Sequence, residues 1–405
     1  LRSDGQPPAT IREVALRAGV STATVSRVLA GIGNSRPETV AAVLAAVEEL
    51  DYRPSGIARS LKMKSTQTLG LIVTDIQNPF FPELVQAADD AARALGYTML
   101  LGSAAYDEER SMRYLDLMVD RRVDGIIVAS SQISEQHWAR LLRAPIPVVV
   151  VNAEPAGLPV PVIVSDNEGG SSLAVQHLLE LGHRHIGYIR GPGAYTAATP
   201  RLEGFLGACA DAGLAPDWTP VVRGEGQVDS GERGVAALLE QAPELTAIAC
   251  YNDLTAIGAL RALRATGRRV PDDVSVIGFD DIDAAAWVEP PLTTVAQQKG
   301  EMGRSAVRWL IESIAAPASR GGGAERMVLP VSLRVRGSTG PAPGISGRAV
   351  AAVPHPGDPA RHRGRLHRRA AAPASDGTIV AVDAASAGWS YLDFAAYRLR
   401  PGQPA

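Results

Sequence analysis

Cysteine is nearly missing from this chain. Cys209 and Cys250 are the two in 405 residues, far apart and each in an apolar helical or strand context. Two such residues suit structural burial rather than a disulfide framework, and so few of them point to a reducing compartment. No apolar run reaches membrane length and no apolar export signal opens the chain, so the expected setting is cytoplasmic with no membrane partner. A phosphate loop of the GxxxxGK[ST] kind is also missing. Gly191 and Gly193 in RGPGAY lack the third glycine and the strand-to-helix context of a dinucleotide site. His183 and His185 in GHRHIG have no third ligand near them and read as a loop and strand-edge pair, so no metal is expected. With no cofactor motif and no positioned acid, base or metal, no catalytic residue is assigned. Charge of one sign is lacking too: the formal net charge is −3, which argues against a non-specific nucleic-acid coat. No leucine heptad follows Arg336, so no coiled-coil tetramer is expected.

What is present is concentrated first in TIREVALRAGVSTATVSRVL, residues 10–29. Thr10 followed three residues later by Glu13 is a capping box, so a helix should start at Ile11 with Ile11, Val14, Ala15 and Ala18 on its apolar face. Gly19 closes it, because glycine accepts the left-handed conformation, and Ser21 caps a second helix with Val25, Val28 and Leu29 inward. Thr22, Ala23, Ser26 and Arg27 are left facing out, as on a recognition helix whose N-terminal end meets base edges. A third helix is expected from a second capping box, Ser35 and Glu38, with Val40, Val43, Leu44, Val47 and Leu50 inward. Residues 1–64 carry nine arginines and lysines against six acids, so the basicity is local and DNA would be touched at one end only.

ATIREVALRAGVSTATVSRVLAG, ELDYRPSGIARSLK and LGLIVTDIQNPFF together resemble the LacI/GalR family of bacterial transcriptional repressors, over residues 9–338 in one order. The resemblance implies an all-α helix-turn-helix headpiece (9–53), a hinge helix and linker (54–66), and an α/β periplasmic-binding-protein-like core of two Rossmann-like subdomains (67–338). It implies DNA contacts from Thr10, Ser21, Thr22, Ala23, Thr24, Ser26, Arg27, Asn34, Tyr52, Ser55, Arg59 and Leu61. Pro54 breaks the preceding helix. The few residues after it are too short a helix to stand alone in water, and Gly56 costs about 1 kcal/mol relative to alanine, so order is expected there only on DNA. In the family, paired hinge helices enter the minor groove and insert a leucine, here Leu61, flanked by Arg59, Lys62 and Lys64.

From Leu69 onward short β-rich runs alternate with helix-length segments. LGLIV, YTMLL, VDGIIVA, PVVVV, HIGYI, AIACY and VSVIGF suit a parallel sheet, with helices over residues 82–95 and 107–121. Lobe 1 is expected at about 69–164 plus 296–325, and lobe 2 at about 165–291 plus 326–338. Ligands in such sheets sit beyond the carboxyl ends of the strands, which with two facing lobes means the cleft between them. The resemblance places effector contacts at Asn78, Phe80, Phe81, Asn152, Arg201, Asn252, Phe279, Asp280 and Gln297. A forked arginine, a carboxylate and amides bind adjacent hydroxyls in pairs, and phenylalanine covers an apolar sugar face. Gly226 falls where relatives often carry an aromatic residue, and Asn152 where many carry aspartate. The expected effector is an uncharged sugar or polyol, with a purine as the alternative.

Residues 339–405 read as a low-complexity, disordered extension, basic as far as about residue 374. Within it, TIVAVDAASAGWSYLDFAAYRLRPGQ resembles the opening of a cupin-type isomerase of inositol catabolism. That segment is either an extension without a role or a pointer to an inositol-like effector. The whole reads as a homodimeric, nucleoid-associated regulator that binds a pseudo-palindromic double-stranded DNA operator under allosteric control. The other readings are an exported sugar-binding protein, which would need a signal in place of the headpiece, and a sugar-converting enzyme.

Overall fold

The computed structural model of the protein describes residues 9–29, 35–52, 65–129, 135–143, 146–155, 159–193, 196–315 and 325–344. It divides into two units, Leu1–Gln67 and Thr68–Ala405.

In the first unit the capping box forms as the residues dictate. The Glu13 amide donates to Thr10 Oγ1 at 3.4 Å and the Thr10 amide to the Glu13 carboxylate at 2.7 Å, opening α1 (Ile11–Arg17). Gly19 takes φ +65°, and Ser21 Oγ accepts the Thr24 amide at 3.1 Å to cap α2 (Thr22–Leu29). The Ser35–Glu38 box does not form. Helix α3 (Pro37–Glu49) begins one residue later than that box requires, with Arg36 extended at ψ 142° and no side-chain cap. The ring of Pro37 excludes helical geometry at the residue before it, and Pro37 itself suits the first helical position. Val14, Ala15, Val25, Val43 and Ala46 fill the core. Leu44, expected inward, is 51% exposed, and the small Ala46 takes the close approach between the helices. A bidentate ion pair, Arg17 Nε and Nη2 to Glu49 at 3.0 and 2.7 Å, ties α1 to α3.

The second unit holds two six-stranded sheets. The strands are β1 (Thr68–Val73), β2 (Thr98–Ser103), β3 (Gly125–Ala129), β4 (Val148–Val151), β5 (Val162–Ser165), β6 (Ile186–Arg190), β7 (Val221–Arg223), β8 (Ala247–Cys250), β9 (Ser275–Asp280), β10 (Thr293–Ala296), β11 (Arg326–Leu329) and β12 (Ser332–Arg334). The lobe 1 sheet runs β11-β5-β4-β3-β1-β2, all parallel. The lobe 2 sheet runs β12-β10-β9-β8-β6-β7, parallel except for β12. Both have the unbroken apolar runs of strands covered on two faces, with Leu69, Leu71 and Val73 buried on one side of β1 and Ile72 on the other. The helices are α4 (Phe80–Ala94), α5 (Glu108–Asp120), α6 (Glu135–Arg143), α7 (Asn167–Glu180), α8 (Ala198–Asp211), α9 (Val228–Gln241), α10 (Asp253–Ala265), α11 (Ala284–Trp287) and α12 (Lys299–Ala315).

The chain crosses between lobes three times: from β5 into α7, from β10 into α12, and from β11 into β12. The last crossing corrects the expected boundary. Residues 326–329 belong to lobe 1, since β11 pairs with β5 from Arg326↔Val162 to Leu329↔Ser165, and the chain passes over at Pro330 and Val331. Strand β10 is in lobe 2, so its last residue, Ala296, is there rather than in lobe 1.

A second correction concerns the expected tail, whose first residues pack on lobe 2. Ala342 is buried, its amide donating to Leu181 O at 2.9 Å, and the Gly340 amide donates to Ser275 Oγ at 3.0 Å. Composition hid this because small residues, not apolar ones, carry the contact. His183 holds the same segment. Its Nε2 is 3.0 Å from the Gly340 carbonyl and its Nδ1 3.0 Å from Thr246 Oγ1, and burial lowers its pKa from 6.5 to about 4.

Candidate functional site

The C-terminal ends of the strands of both sheets border a cleft between the lobes, the usual place for a ligand in open α/β sheets. Lobe 1 supplies Thr74 after β1, Asn78 and the first residues of α4, Phe80 and Phe81. Asn78 shapes its own loop, its Oδ1 accepting the Phe80 amide at 3.0 Å, and this turn delivers the two rings edge to face, 5.2 Å apart. Tyr106 follows β2, and Asn152 follows β4 in left-handed geometry at φ 54°.

Lobe 2 supplies the charges. Arg201, near the start of α8, is 2% exposed and donates Nε to Asn167 Oδ1 at 2.8 Å and Nη1 to the Tyr251 carbonyl at 2.7 Å. Its guanidinium lies 3.8 Å from the Phe279 ring centroid and 4.8 Å from that of Tyr251. Asp280, at the end of β9, is 3.5 Å from Arg201 Nη1 and accepts Gln297 Nε2 at 2.6 Å. Burial raises the Asp280 pKa, against the pull of Arg201 and then Lys299. Asn252 is the N-cap of α10, its Oδ1 accepting the Thr255 amide at 2.9 Å, and its Nδ2 donates to Gly226 O at 3.0 Å. Behind it Asp253 is fully buried, with a pKa raised by burial and by Asp280.

Seven of the nine residues expected at an effector therefore border one cleft: Asn78, Phe80, Phe81, Asn152, Arg201, Asn252 and Asp280. Two do not. Phe279 points to the other face of β9 and is core, with Tyr188, Phe205 and Val295 in its cluster. Gln297 is a layer behind, joining Asp280 to Ser165, whose Oγ donates to Gln297 Oε1 at 2.7 Å. The cleft also holds residues that sequence reasoning passed over. Glu225 follows β7, three residues long and unreadable as a strand; Tyr251 reads as the last letter of AIACY; Tyr106 follows YTMLL at the usual strand-end position. Tyr106 and Gln227 close the cleft from opposite lobes, with Gln227 Nε2 2.5 Å from the Tyr106 hydroxyl.

On the headpiece, Thr22, Ala23 and Arg27 are exposed on α2, with Arg27 Nε laid back on Ala23 O at 3.4 Å. Ser26 is half-buried, and Ser21 and Thr24 share a hydroxyl contact of 2.9 Å at the helix start. Thr10 Oγ1 is taken up by Glu13 at 2.9 Å, and Tyr52 lies half-buried against the headpiece core. Asn34, Ser55, Arg59 and Leu61, with the rest of the hinge, lie outside the described residues, as do residues 345–405. Among the described residues no group of three His, Cys, Asp or Glu could hold a metal ion, and no helix is long and apolar enough to cross a membrane.

Residues 10–55 match the family described as bacterial regulatory proteins, lacI family, and residues 175–339 match a periplasmic binding protein-like domain. Over 309 residues the chain is 37% identical to the HTH-type transcriptional repressor PurR of Aliivibrio salmonicida, covering 76% of this chain and 92% of that one. The chain belongs to the LacI family. It is thus a DNA-binding repressor with an effector-binding domain. The ribose operon repressor of Halalkalibacterium halodurans is 39% identical over 305 residues, 75% of this chain and 90% of that one. Among solved structures of the family, the lac repressor dimer bound to operator and the anti-inducer ONPF matches with TM-score 0.74 at 28% identity, over 82% of this chain and all of that one.

Proposed function

We propose that this LacI-family repressor answers to a neutral, hydroxyl-rich molecule of about pentose size, bound between the lobes. The observation that carries this reading is the convergence of Arg201, Asp280, Asn78, Asn152 and Asn252 on one cleft beside Phe80 and Phe81. Paired donors and acceptors suit neighbouring hydroxyls, and the rings suit the C–H face of a sugar. Glu225 and Asp280 together outnumber Arg201, which disfavours phosphorylated or acidic sugars. Similarity to a ribose operon repressor supports a pentose. Similarity to PurR, and the four aromatic side chains of the cleft, favour a purine as the second reading. Against a purine, position 226, where relatives often carry a ring, is glycine here, which leaves Tyr251 as the aromatic side chain that lobe 2 brings to the cleft.

Effector binding closes the cleft and alters operator affinity, for which a coupling of about 1 to 3 kcal/mol is enough. On DNA, α2 is the reading helix, with Thr22, Ala23 and Arg27 toward the bases and phosphates of one half-site. The protein works as a homodimer in the bacterial cytoplasm, without catalysing turnover of its ligand. Leu95, Leu100, Leu101 and Leu117, exposed around the edge strand β2, support pairing with a second copy.

The test is a thermal-shift and calorimetric panel of D-ribose, other pentoses, hexoses, myo-inositol, hypoxanthine and guanine. Each ligand is followed by operator binding with and without it. A pentose or polyol that raises Tm and changes operator affinity supports the reading. A response to purines alone moves the assignment to the second reading, and any chemical product of the sugars counts against a purely regulatory role.

A further inference from the structure

Lys299 is a buried ammonium ion placed where the lobes join. It opens α12, which packs against α4 in lobe 1, yet its side chain reaches lobe 2 and is 5% exposed. An ammonium group has three N–H donors, and this one has three partners: Asp280 O at 2.9 Å, Asp281 O at 2.6 Å and the Glu83 carboxylate at 3.2 Å. The first two belong to consecutive non-glycine residues with positive φ, 126° and 54°. That conformation is strained for both, and it is what turns two successive carbonyls toward one cation. The same turn sets the Asp280 carboxylate toward Arg201 and the cleft, and sends the Asp281 carboxylate to Arg336 at 2.6 Å. The third partner, Glu83, is on α4, the helix whose first residues are Phe80 and Phe81.

We propose that Lys299 is a positioning residue that locks the Asp280–Asp281 turn in its effector-ready form and, through Glu83, links that turn to the cleft wall of lobe 1. The link rests on the reading of the cleft as an effector site. A cation there is suited to the task because a neutral side chain would leave two inward-turned carbonyls unpaired, whereas a buried charge holds all three partners at once. Closing the cleft then moves α4 and α12 together with the turn, so occupancy of lobe 2 is felt in lobe 1.

The test uses the full chain, with Lys299→Met and Glu83→Gln. It needs a readout that does not depend on the effector, and the Ile282 amide supplies one, since it donates to Asp253 Oδ2 at 2.9 Å just beyond the turn. In protein without ligand, hydrogen exchange at Ile282 should accelerate about ten-fold in Glu83→Gln, although Glu83 is in the other lobe and half exposed, and more in Lys299→Met. With D-ribose as the probe and a duplex selected from random DNA by the wild type, Lys299→Met should weaken ribose binding about ten-fold or more. Glu83→Gln should reduce the ribose-induced change in operator affinity about five-fold while ribose affinity falls less than about three-fold. Unchanged exchange at Ile282 in Glu83→Gln overturns the link, whatever the effector proves to be. A wild type that ignores D-ribose speaks against the pentose reading, and the exchange measurement still decides the role of Lys299.

Discussion

His183 makes lobe 2 sensitive to acid in a direction that can be worked out. Its imidazole takes a proton near pH 6.5 in the unfolded chain but only near 4 when buried between Thr246 and the Gly340 carbonyl. Between those values the unfolded state binds the extra proton, so the stability that His183 contributes is complete above about pH 6.5 and is lost as pH falls toward 4. In denaturant titrations the wild type should lose up to about 1.4 kcal/mol per pH unit across that window relative to His183→Gln, whose curve is flatter though lower at pH 7. Equal slopes would remove His183 as the cause. At the cleft mouth, Tyr106→Phe deletes the hydroxyl that meets Gln227 across the lobes. A loss of about 1 kcal/mol should speed release of a bound ligand about five-fold in stopped-flow, with Tm of the free protein little changed. The family resemblance made Asn78, Arg201 and Asp280 legible in the sequence as cleft residues. Phe279 and Asp280 are adjacent and so point to opposite faces of β9, a period-2 effect that a motif match alone ignores. Gln297 was legible as polar and inward, but not as one layer removed from the cleft.

Helix α12 meets α4 through Gly303, where an added Cβ would come within 2.4 Å of the Leu84 carbonyl. Gly303→Ala must push the two helices apart, and a loss of about 1 to 3 kcal/mol is expected. It should appear in thermal melting together with weaker coupling between effector and operator, because Lys299 and Glu83 lie on the same two helices. A variant that melts like the wild type would show that the pair yields without strain. Strands of five or more apolar residues, such as β1, β3 and β9, were readable because their length separates them from helices. The strands β5, β7, β10, β11 and β12 were not, at three or four residues each, and their pairing is set by partners far along the chain. The start of α3 was misplaced for a local reason, the constraint that Pro37 exerts on Arg36.

The two lobes are joined by three crossings that lie at one seam. Gln298 Nε2 donates to Pro330 O at 3.2 Å, and Ser165 Oγ to Gln297 at 2.7 Å, so all three crossings are bonded to one another. A ligand confined to the folded protein adds about 2.7 kcal/mol of stability at a hundred times its Kd. The melting temperature of the second unit should therefore rise with a true effector, and an effector that binds without raising it would be acting elsewhere. The order of headpiece and two-lobed core was legible because each part has its own periodicity. Where the chain last changes lobe was not, since residues 326–334 carry no break stronger than Pro330. The segment 338–342, fastened by His183, Ser275 and Leu181, also decides how the protein can be handled in the laboratory. A shortened version ending at 337 would strip lobe 2 of a built-in strap and leave His183 and Ser275 facing water, whereas one trimmed after Gly344 keeps the strap and offers a safe place for a fusion tag.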